Sequence, residues 1–349
     1  MMLEILKDPE RKPLTGILRD NLNLMIHHRA LPVHYFSRYL FKNGMTNIRD
    51  YVPNGLAMKI APALNDGKVK DVLDNKLYFS LFYGQFDLPL PKILMYNHRN
   101  QFIAGNKKVD IGSPDDFKVM IEDVFRKNPG CDGLFIKKTY SSASGRNIHS
   151  ILRSDLISKD QLIRDVYSDV KDSAFIFQEK VKQHPELEKL SPASLNTIRF
   201  DTFIGDDGRI DVISGFLKMS TNDAVVDNVI SGGCGVGIEA DSGRLKRFGY
   251  SKIKLMGVEV LTEHPLTGIR FEGYPVPYFH EAKDLAAKAA SFMPDLRLVG
   301  WDVGIGENGP VLIEGNSDYG INSNDLTYGG YMASETFRKV ISAAANNRK

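Results

Sequence analysis

Apolar positions in the first part of the chain recur at helical spacing and are broken at Pro13, Pro32, Pro53 and Pro62, which predicts a helical region over residues 1–70. From about residue 71 helix and strand patterns alternate. Val72, Leu77, Leu81 and Phe82 place one helix over Asp71–Gly84, and Lys92–Tyr96 reads as a strand. Ser113 caps a helix with Pro114 in its first turn, which runs to Arg126. Gly133–Lys138 and Phe175–Val181 read as strands, and Ser141–Asn147 as a small, polar loop. The last half is richer in strands. Asn196–Ile204 pairs with Arg209–Met219, Gly232–Ala240 with Arg244–Lys246, and Leu296–Ile305 with Pro310–Glu314, each across a Gly-containing turn. Helices are expected at His280–Phe292 and Tyr328–Ala345.

The chain has 349 residues, enough for about two domains or lobes. Its 42% hydrophobic and 25% charged residues exclude a disordered chain. Lys+Arg 45 against Asp+Glu 43 gives a net charge of +2 and no reason to expect a nucleic-acid partner. Two cysteines, Cys131 and Cys234, exclude a disulfide scaffold. The first residues lack the apolar run of a signal peptide, and no run of about 18 apolar residues predicts a transmembrane helix, so a cytoplasmic location is the default expectation. His27, His28, Arg29, His34, Tyr35, Phe36, Arg38 and Tyr39 mix basic and aromatic character. They read as a membrane-surface or substrate-docking face, or more plainly as a solvated helical face with aromatic anchors in the core.

The densest chemical signal is Trp301-Asp302 followed by Glu314-Gly315-Asn316. A hairpin loop centred on Asn308 sets Asp302 opposite Glu314, with Asn316 on the same face. Two opposed carboxylates and an amide oxygen make a hard-oxygen set suited to Mg²⁺; two exposed acids on a solvated hairpin is the alternative. A second signal is Lys137-Lys138 at the end of a strand, leading into Ser141-Ser-Ala-Ser-Gly145-Arg. Such a loop presents N–H groups to phosphate and can close as a lid. Alternation puts Leu134, Ile136 and Lys138 on one face and Phe135 and Lys137 on the other, and Lys138 is taken as the inward lysine. Third, the strand ending in Gln178-Glu179-Lys180-Val181 can offer backbone groups to an adenine edge, with Glu186 downstream for ribose hydroxyls. Fourth, Arg199 and Lys218 on paired strands can project into one polar cleft, or onto a solvated face. Asp227-Asn228 precedes Ser231-Gly-Gly-Cys-Gly-Val-Gly237, whose glycines suggest close approach of a ligand or strand. That segment is neither a Walker A loop nor a Gly-x-Gly-x-x-Gly turn, and Cys234 reads as a small buried residue.

Taken in order over about residues 70–330, these motifs resemble the ATP-grasp superfamily, and its sugar-transfer-associated branch most closely. The resemblance is carried by Gln178-Glu179, Gln183-His184-Pro185, Asn196-Thr197-Ile198-Arg199, Asp227-Asn228, His264-Pro265-Leu266-Thr267-Gly268, Gly300-Trp301-Asp302 and Gly309-Pro310-Val311-Leu312-Ile313-Glu314-Gly315-Asn316. It implies an ATP-grasp α+β fold in which two lobes with antiparallel sheets grip ATP and Mg²⁺, preceded by the helical N-terminal region. The N-terminal lobe with its phosphate lid would span 71–180 and the C-terminal lobe with the metal site 181–349. Lys76 and Lys138 would contact phosphate, with Ser142, Ser144 and Gly145 in the lid. Gln178, Glu179, Lys180 and Val181 would form the adenine hinge, Glu186 would bind ribose, and Asp302, Glu314 and Asn316 would hold the metal. Arg199 and Lys218 would touch the γ-phosphate or acyl group. Thr139 follows Lys138 where the superfamily usually has Pro, the lid is Ser-rich, and Gly300 departs from the Arg that peptide-forming relatives often carry two residues before the metal Asp.

The expected activity is ATP-dependent carboxylate–amine ligation, on a uronic-acid-type sugar or glycan in surface-polysaccharide biosynthesis. The substrates would be that carboxylate and an amine or amino acid, possible association with glycosyltransferase machinery being part of the same reading. The alternatives are a kinase acting on a hydroxyl and a nucleotide-binding module without turnover.

Overall fold

The computed structural model describes residues 2–140, 148–222, 233–254, 257–318 and 320–347. The expected lid residues Ser142, Ser144 and Gly145, together with Asp227-Asn228 and Ser231-Gly232, lie outside them.

Among the described residues six antiparallel strands form the first sheet: β1 (Ile93–His98), β2 (Gln101–Ala104), β3 (Lys107–Asp110), β4 (Gly133–Lys138), β5 (Ile148–Leu152) and β6 (Ala174–Glu179), in the order β3-β2-β1-β6-β4-β5. Alternation gives one face to Leu134, Ile136, Phe175 and Phe177. That face is closed by α7 (Pro114–Lys127) and α9 (Asp160–Val170), whose Phe117, Ile121, Ile163 and Val166 fill the same core. Ser113 accepts from the Asp116 N–H at 3.1 Å, as its capping position predicts. β2, β3, β5 and α9 have no counterpart in the sequence reading; the three strands are short, β2 and β5 bury one residue each and β3 none, so their apolar alternation is weak.

The second sheet has, among the described residues, seven antiparallel strands: β7 (Thr197–Ile204), β8 (Ile210–Ser220), β9 (Gly233–Ile238), β10 (Leu245–Lys254), β11 (Gly257–Leu261), β12 (Leu298–Gly306) and β13 (Gly309–Asn316), in the order β11-β10-β9-β8-β7-β12-β13. One face, with Ile198, Phe200, Trp301 and Val303, packs on α11 (Phe279–Ser291). The other, with Phe203, Ile213 and Leu298, packs on α4 (Asn54–Leu64), α12 (Ile321–Tyr328) and α13 (Glu335–Asn346). The glycines of β9 are explained by α12: a Cβ on Gly235 would stand 3.1 Å from Thr327 Cγ2.

Two expected helices are broken. Asp71–Gly84 divides into α5 (Asp71–Asp74) and α6 (Lys76–Tyr83), because Asn75 is extended and its side chain accepts from the Leu77 and Tyr78 N–H groups as a new cap. Tyr328–Ala345 is corrected to the end of α12, a turn through Gly329-Gly330 at positive φ, and α13. Leu73, Phe79, Tyr83 and Leu88 join the core of the second sheet, with the Tyr83 ring edge-on to Trp301 at 5.7 Å. In the N-terminal region, α2 (Leu14–His28) and α3 (Val33–Ser37) enclose a small core of Leu24, Tyr35, Tyr39, Phe41 and Tyr51, completed by Leu326 of α12. Among the described residues no helix is long and apolar enough to cross a membrane.

Candidate functional site

Asp302 on β12 lies directly opposite Arg199 on β7 and Glu314 on β13. The three therefore share one face of the second sheet. The pairing with Glu314 is the expected one, but its construction differs from a loop centred on Asn308. The turn pairs Gly306 with Gly309, and continuing that register would set Asp302 against Ile313. A bulge between Val303↔Leu312 and Asp302↔Glu314 inserts Ile313 and turns Glu314 onto the face of Asp302.

Asp302 is 2% exposed and fully engaged by cations. Arg199 donates from Nε to Oδ1 at 2.6 Å and from Nη2 to Oδ2 at 3.0 Å, and Lys218 Nζ stands 2.9 Å from Oδ2. Arg199 and Lys218 thus meet in one polar cleft, as the strand pairing implied. Burial alone would raise the Asp302 pKa, but Arg199 and Lys218 outweigh it and hold the carboxyl well below its usual range. The Glu314 carboxyl also reaches it closely enough to hydrogen-bond. Asp302 in turn drives Arg199 above its ordinary value against the burial penalty. Behind Arg199 lies Asp201, fully buried, accepting from Ser214 Oγ at 2.8 Å, Asn324 Nδ2 at 3.3 Å and the Tyr331 hydroxyl. Burial raises the Asp201 pKa. Alternation along β7 puts Asp201 on the Arg199 face.

The first sheet contributes a different lysine from the one expected. Lys138 pairs with Phe175 and shares the helix-covered face of Leu134 and Ile136. Lys137 pairs with Ile176 on the opposite face, is 4% exposed, and feels Glu314, Lys76 and Asp302 across the cleft. Burial pushes its pKa down to about 8, with Glu314 opposing and Lys76 reinforcing the shift. The side of β4 that carries Leu134 and Ile136 belongs to the core under α7 and α9, so the side that carries Lys137 faces the cleft. Lys76 completes the set, 3.4 Å from Glu314 Oε2, at the start of α6, whose first N–H donates to Thr139 O at 2.8 Å. Ser317 Oγ donates to Asp74 Oδ1 at 2.9 Å, so the α5–α6 junction bridges the ends of β4 and β13.

The other expected residues are placed as follows. Gln178 is buried and its amide donates to Ser80 Oγ at 3.2 Å and Pro91 O at 3.4 Å, clamping α6. The Glu179 and Lys180 N–H groups donate to Lys92 O and Gly133 O, both at 2.9 Å. Val181 leads into a strap held to the β12–β13 turn, with the His184 N–H on Ile305 O at 2.9 Å. Glu186, in the first turn of α10 (Pro185–Leu190), is partly exposed and paired with Lys189 at 2.6 Å. Asn316 pairs with Gly300 and its amide donates to Gly300 O at 3.3 Å. Cys234 is buried, its thiol pushed up to about 12 by burial, which suits a packing role.

Among the described residues no cluster of three or more His, Cys, Asp and Glu side chains is placed to hold a metal. The donor chemistry of the Asp302–Glu314 pair with Asn316 nonetheless fits a hard divalent cation. Two carboxylates in contact repel unless a cation or proton joins them, and both already draw ammonium or guanidinium groups. Lys76, Lys137, Arg199 and Lys218 face two cleft carboxylates, an excess of positive charge that complements a polyanion such as a triphosphate.

The sugar-transfer associated ATP-grasp family model matches residues 56–339. A search of curated proteins finds no match. Among solved structures, D-alanyl-alanine synthetase A from Vibrio cholerae aligns at 12% identity over 79% of this chain and 65% of its own, with a TM-score of 0.46. D-cycloserine synthetase aligns at 12% identity over 93% of this chain and 96% of its own, with a TM-score of 0.47. D-alanine–D-alanine ligase from Bacillus anthracis aligns at 10% identity over 79% and 69%, with a TM-score of 0.39. The chain thus spans less than two thirds of the first of these.

Proposed function

We propose that this chain, which belongs to the sugar-transfer-associated ATP-grasp family, is an ATP-dependent ligase that joins a carboxylate to an amine. The observation that carries the reading is the buried Asp302, set against Glu314 and ringed by Arg199, Lys218, Lys76 and Lys137 from both lobes. Asp302, Glu314 and Asn316 would hold Mg²⁺, which when bound supplies charge neutralisation to the triphosphate.

In the proposed reaction a carboxylate oxygen of the substrate attacks the γ-phosphorus of ATP. The bond from that phosphorus to the bridging oxygen breaks, and ADP departs with the electron pair. An amine then attacks the acylphosphate carbonyl, loses a proton, and expels inorganic phosphate, leaving an amide. Lys76 and Lys137 would neutralise charge on the transferring group, and Arg199 and Lys218 would hold the phosphoryl or acyl oxygens. No covalent side-chain nucleophile is required. The Glu179 and Lys180 N–H groups are spent inside the sheet, so the adenine edge would be met at Val181. The Ser-rich loop around Ser142, Ser144 and Gly145 would exclude water from the acylphosphate.

The family's association with sugar transfer supports a uronic-acid-type carboxylate on a sugar or glycan of a surface polysaccharide, with an amine or amino acid as second substrate. Incubation with ATP, Mg²⁺ and a pooled uronate and amine screen tests this by mass spectrometry. ADP, phosphate and amide in equal amounts is the expected result. ADP without free phosphate, with a phosphorylated hydroxyl, would overturn it.

A further inference from the structure

The N-terminal helices carry a feature that the nucleotide cleft does not use. Leu14, Leu18, Leu22 and Ile26 succeed one another at four-residue spacing along α2, with Met25 beside them, and Leu31 follows just beyond the helix. All six are exposed, Leu18 73%, Ile26 72% and Leu31 74%. The opposite side of the same helix is the buried one. Leu24 packs among Tyr35, Tyr39 and Phe41, and Asp20 pairs with Lys12 at 2.7 Å. The aromatic anchors are thus inside, as the plainer sequence reading holds, while a purely aliphatic stripe about 20 Å long stands outside.

Its borders are cationic. Asp20 is the only acid between Pro13 and Val33, and it is buried. Arg19 and Arg29 are exposed, with one long contact of 3.9 Å from Arg19 to Asp20. Arg49 is bound to α2 through Asn23 Oδ1 at 2.8 Å. A protein partner is met more often by exposed aromatic residues in a recess. Here the side chains are aliphatic, stand proud of a convex helix, and are bordered by arginines, the pattern of a helix that lies in the plane of an anionic bilayer.

We propose that α2 and the Leu31 turn dock this protein on the surface of an anionic phospholipid membrane. The face is not a loose tail. The Val52 N–H donates to Asp325 Oδ2 at 2.8 Å, Arg38 Nε lies 3.5 Å from the same carboxylate, and Asn47 Nδ2 donates to Gly329 O at 2.9 Å. These bonds fix the region to α12, whose Asn324 reaches Asp201 behind Arg199. Docking therefore holds the cleft at a set height above the lipid. If the ligase reading is right, that height suits a carboxylate carried on a lipid-linked glycan, but docking itself does not depend on that reading.

The experiment is flotation of the full chain, without nucleotide, with vesicles of phosphatidylcholine alone or containing phosphatidylglycerol. Binding to the anionic vesicles is expected to exceed that to neutral ones by roughly a hundredfold at low salt, from the three arginines. High salt is expected to remove most of this excess. The double variant L18E/L22E is expected to lose binding by at least about tenfold while keeping its thermal melt and elution volume. R19E/R29E is expected to lose the preference for anionic lipid. Wild-type binding by L18E/L22E would overturn the proposal. So would absence of vesicle binding together with a concentration-dependent dimer that L18E/L22E converts to a monomer, since a second copy would then cover the stripe.

Discussion

Replacing Lys137 by Met keeps most of the aliphatic stem and removes the charge. Lys137 is buried on the cleft face of β4 and feels Glu314, Asp302 and Lys76. A unit charge about 4 Å from a phosphate oxygen interacts by about 4 kcal/mol at an effective dielectric of 20. The neighbouring carboxylates and the cost of desolvating the ammonium offset part of that, leaving about 2–3 kcal/mol, or roughly 30- to 150-fold in affinity. Lys138, on the helix-covered face at the mouth of the loop, is expected to change affinity by less than about threefold. Isothermal titration of K137M and K138M with a non-hydrolysable ATP analogue and Mg²⁺ reads both numbers. A Lys138 variant that weakens binding as much as the Lys137 variant, or a Lys137 variant within about threefold of wild type, would refute the assignment of faces.

Asp302→Asn is expected to stop ADP formation and also to destabilise the fold by about 3–5 kcal/mol, because Arg199 and Lys218 lose their buried counter-charge. Glu314→Gln, at the more exposed partner, is expected to stop ADP formation at a stability cost within about 1 kcal/mol; urea titration separates the two. His34, buried with both ring nitrogens unpartnered, is held neutral: burial, then His28 and Arg38, lower its pKa from 6.5 to about 4. The unfolded chain therefore binds more protons between these values, and stability falls by about 3 kcal/mol as pH drops from 6.5 to 4. Asp325 acts in the opposite sense. Burial raises its pKa from 3.8 to about 6, so its contribution grows as pH falls from 6 towards 3.8. His34→Phe is accordingly expected to gain stability relative to wild type as pH falls, and Asp325→Asn to lose it; parallel urea profiles for all three would contradict both shifts. Gly330→Ala is expected to lower the melting temperature by several degrees, since the residue has a φ of +106° and a Cβ there would lie 2.6 Å from Asp50 Cβ.

How much of the site was legible depended on whether the signal was local. Asp302 and Glu314 were found because a hairpin is a short-range object, and strand alternation places side chains without knowledge of the rest of the fold. The bulge at Ile313 was hidden, since nothing in Gly309–Asn316 marks it. Gln178 looked like a hinge residue because polarity begins there, yet its amide holds α6, a contact between segments nearly a hundred residues apart. Asp201 had no local mark, since its partners come from β8, α12 and the Gly330 turn.

By itself the sequence determined what periodicity and short-range turns encode: the helical start, the strand-rich second half, the hairpin that opposes two acids, and the absence of a nucleophile motif. Only the tertiary structure decided which side of each element is inside. It turned Lys137 rather than Lys138 to the cleft, sent Leu73, Phe79 and Tyr83 into the core of the second sheet, and left the aliphatic edge of α2 uncovered. Apolar spacing fixes that an element has a buried face, but the partner that buries it is a long-range choice, made by which surfaces meet when the two sheets and the N-terminal helices pack together.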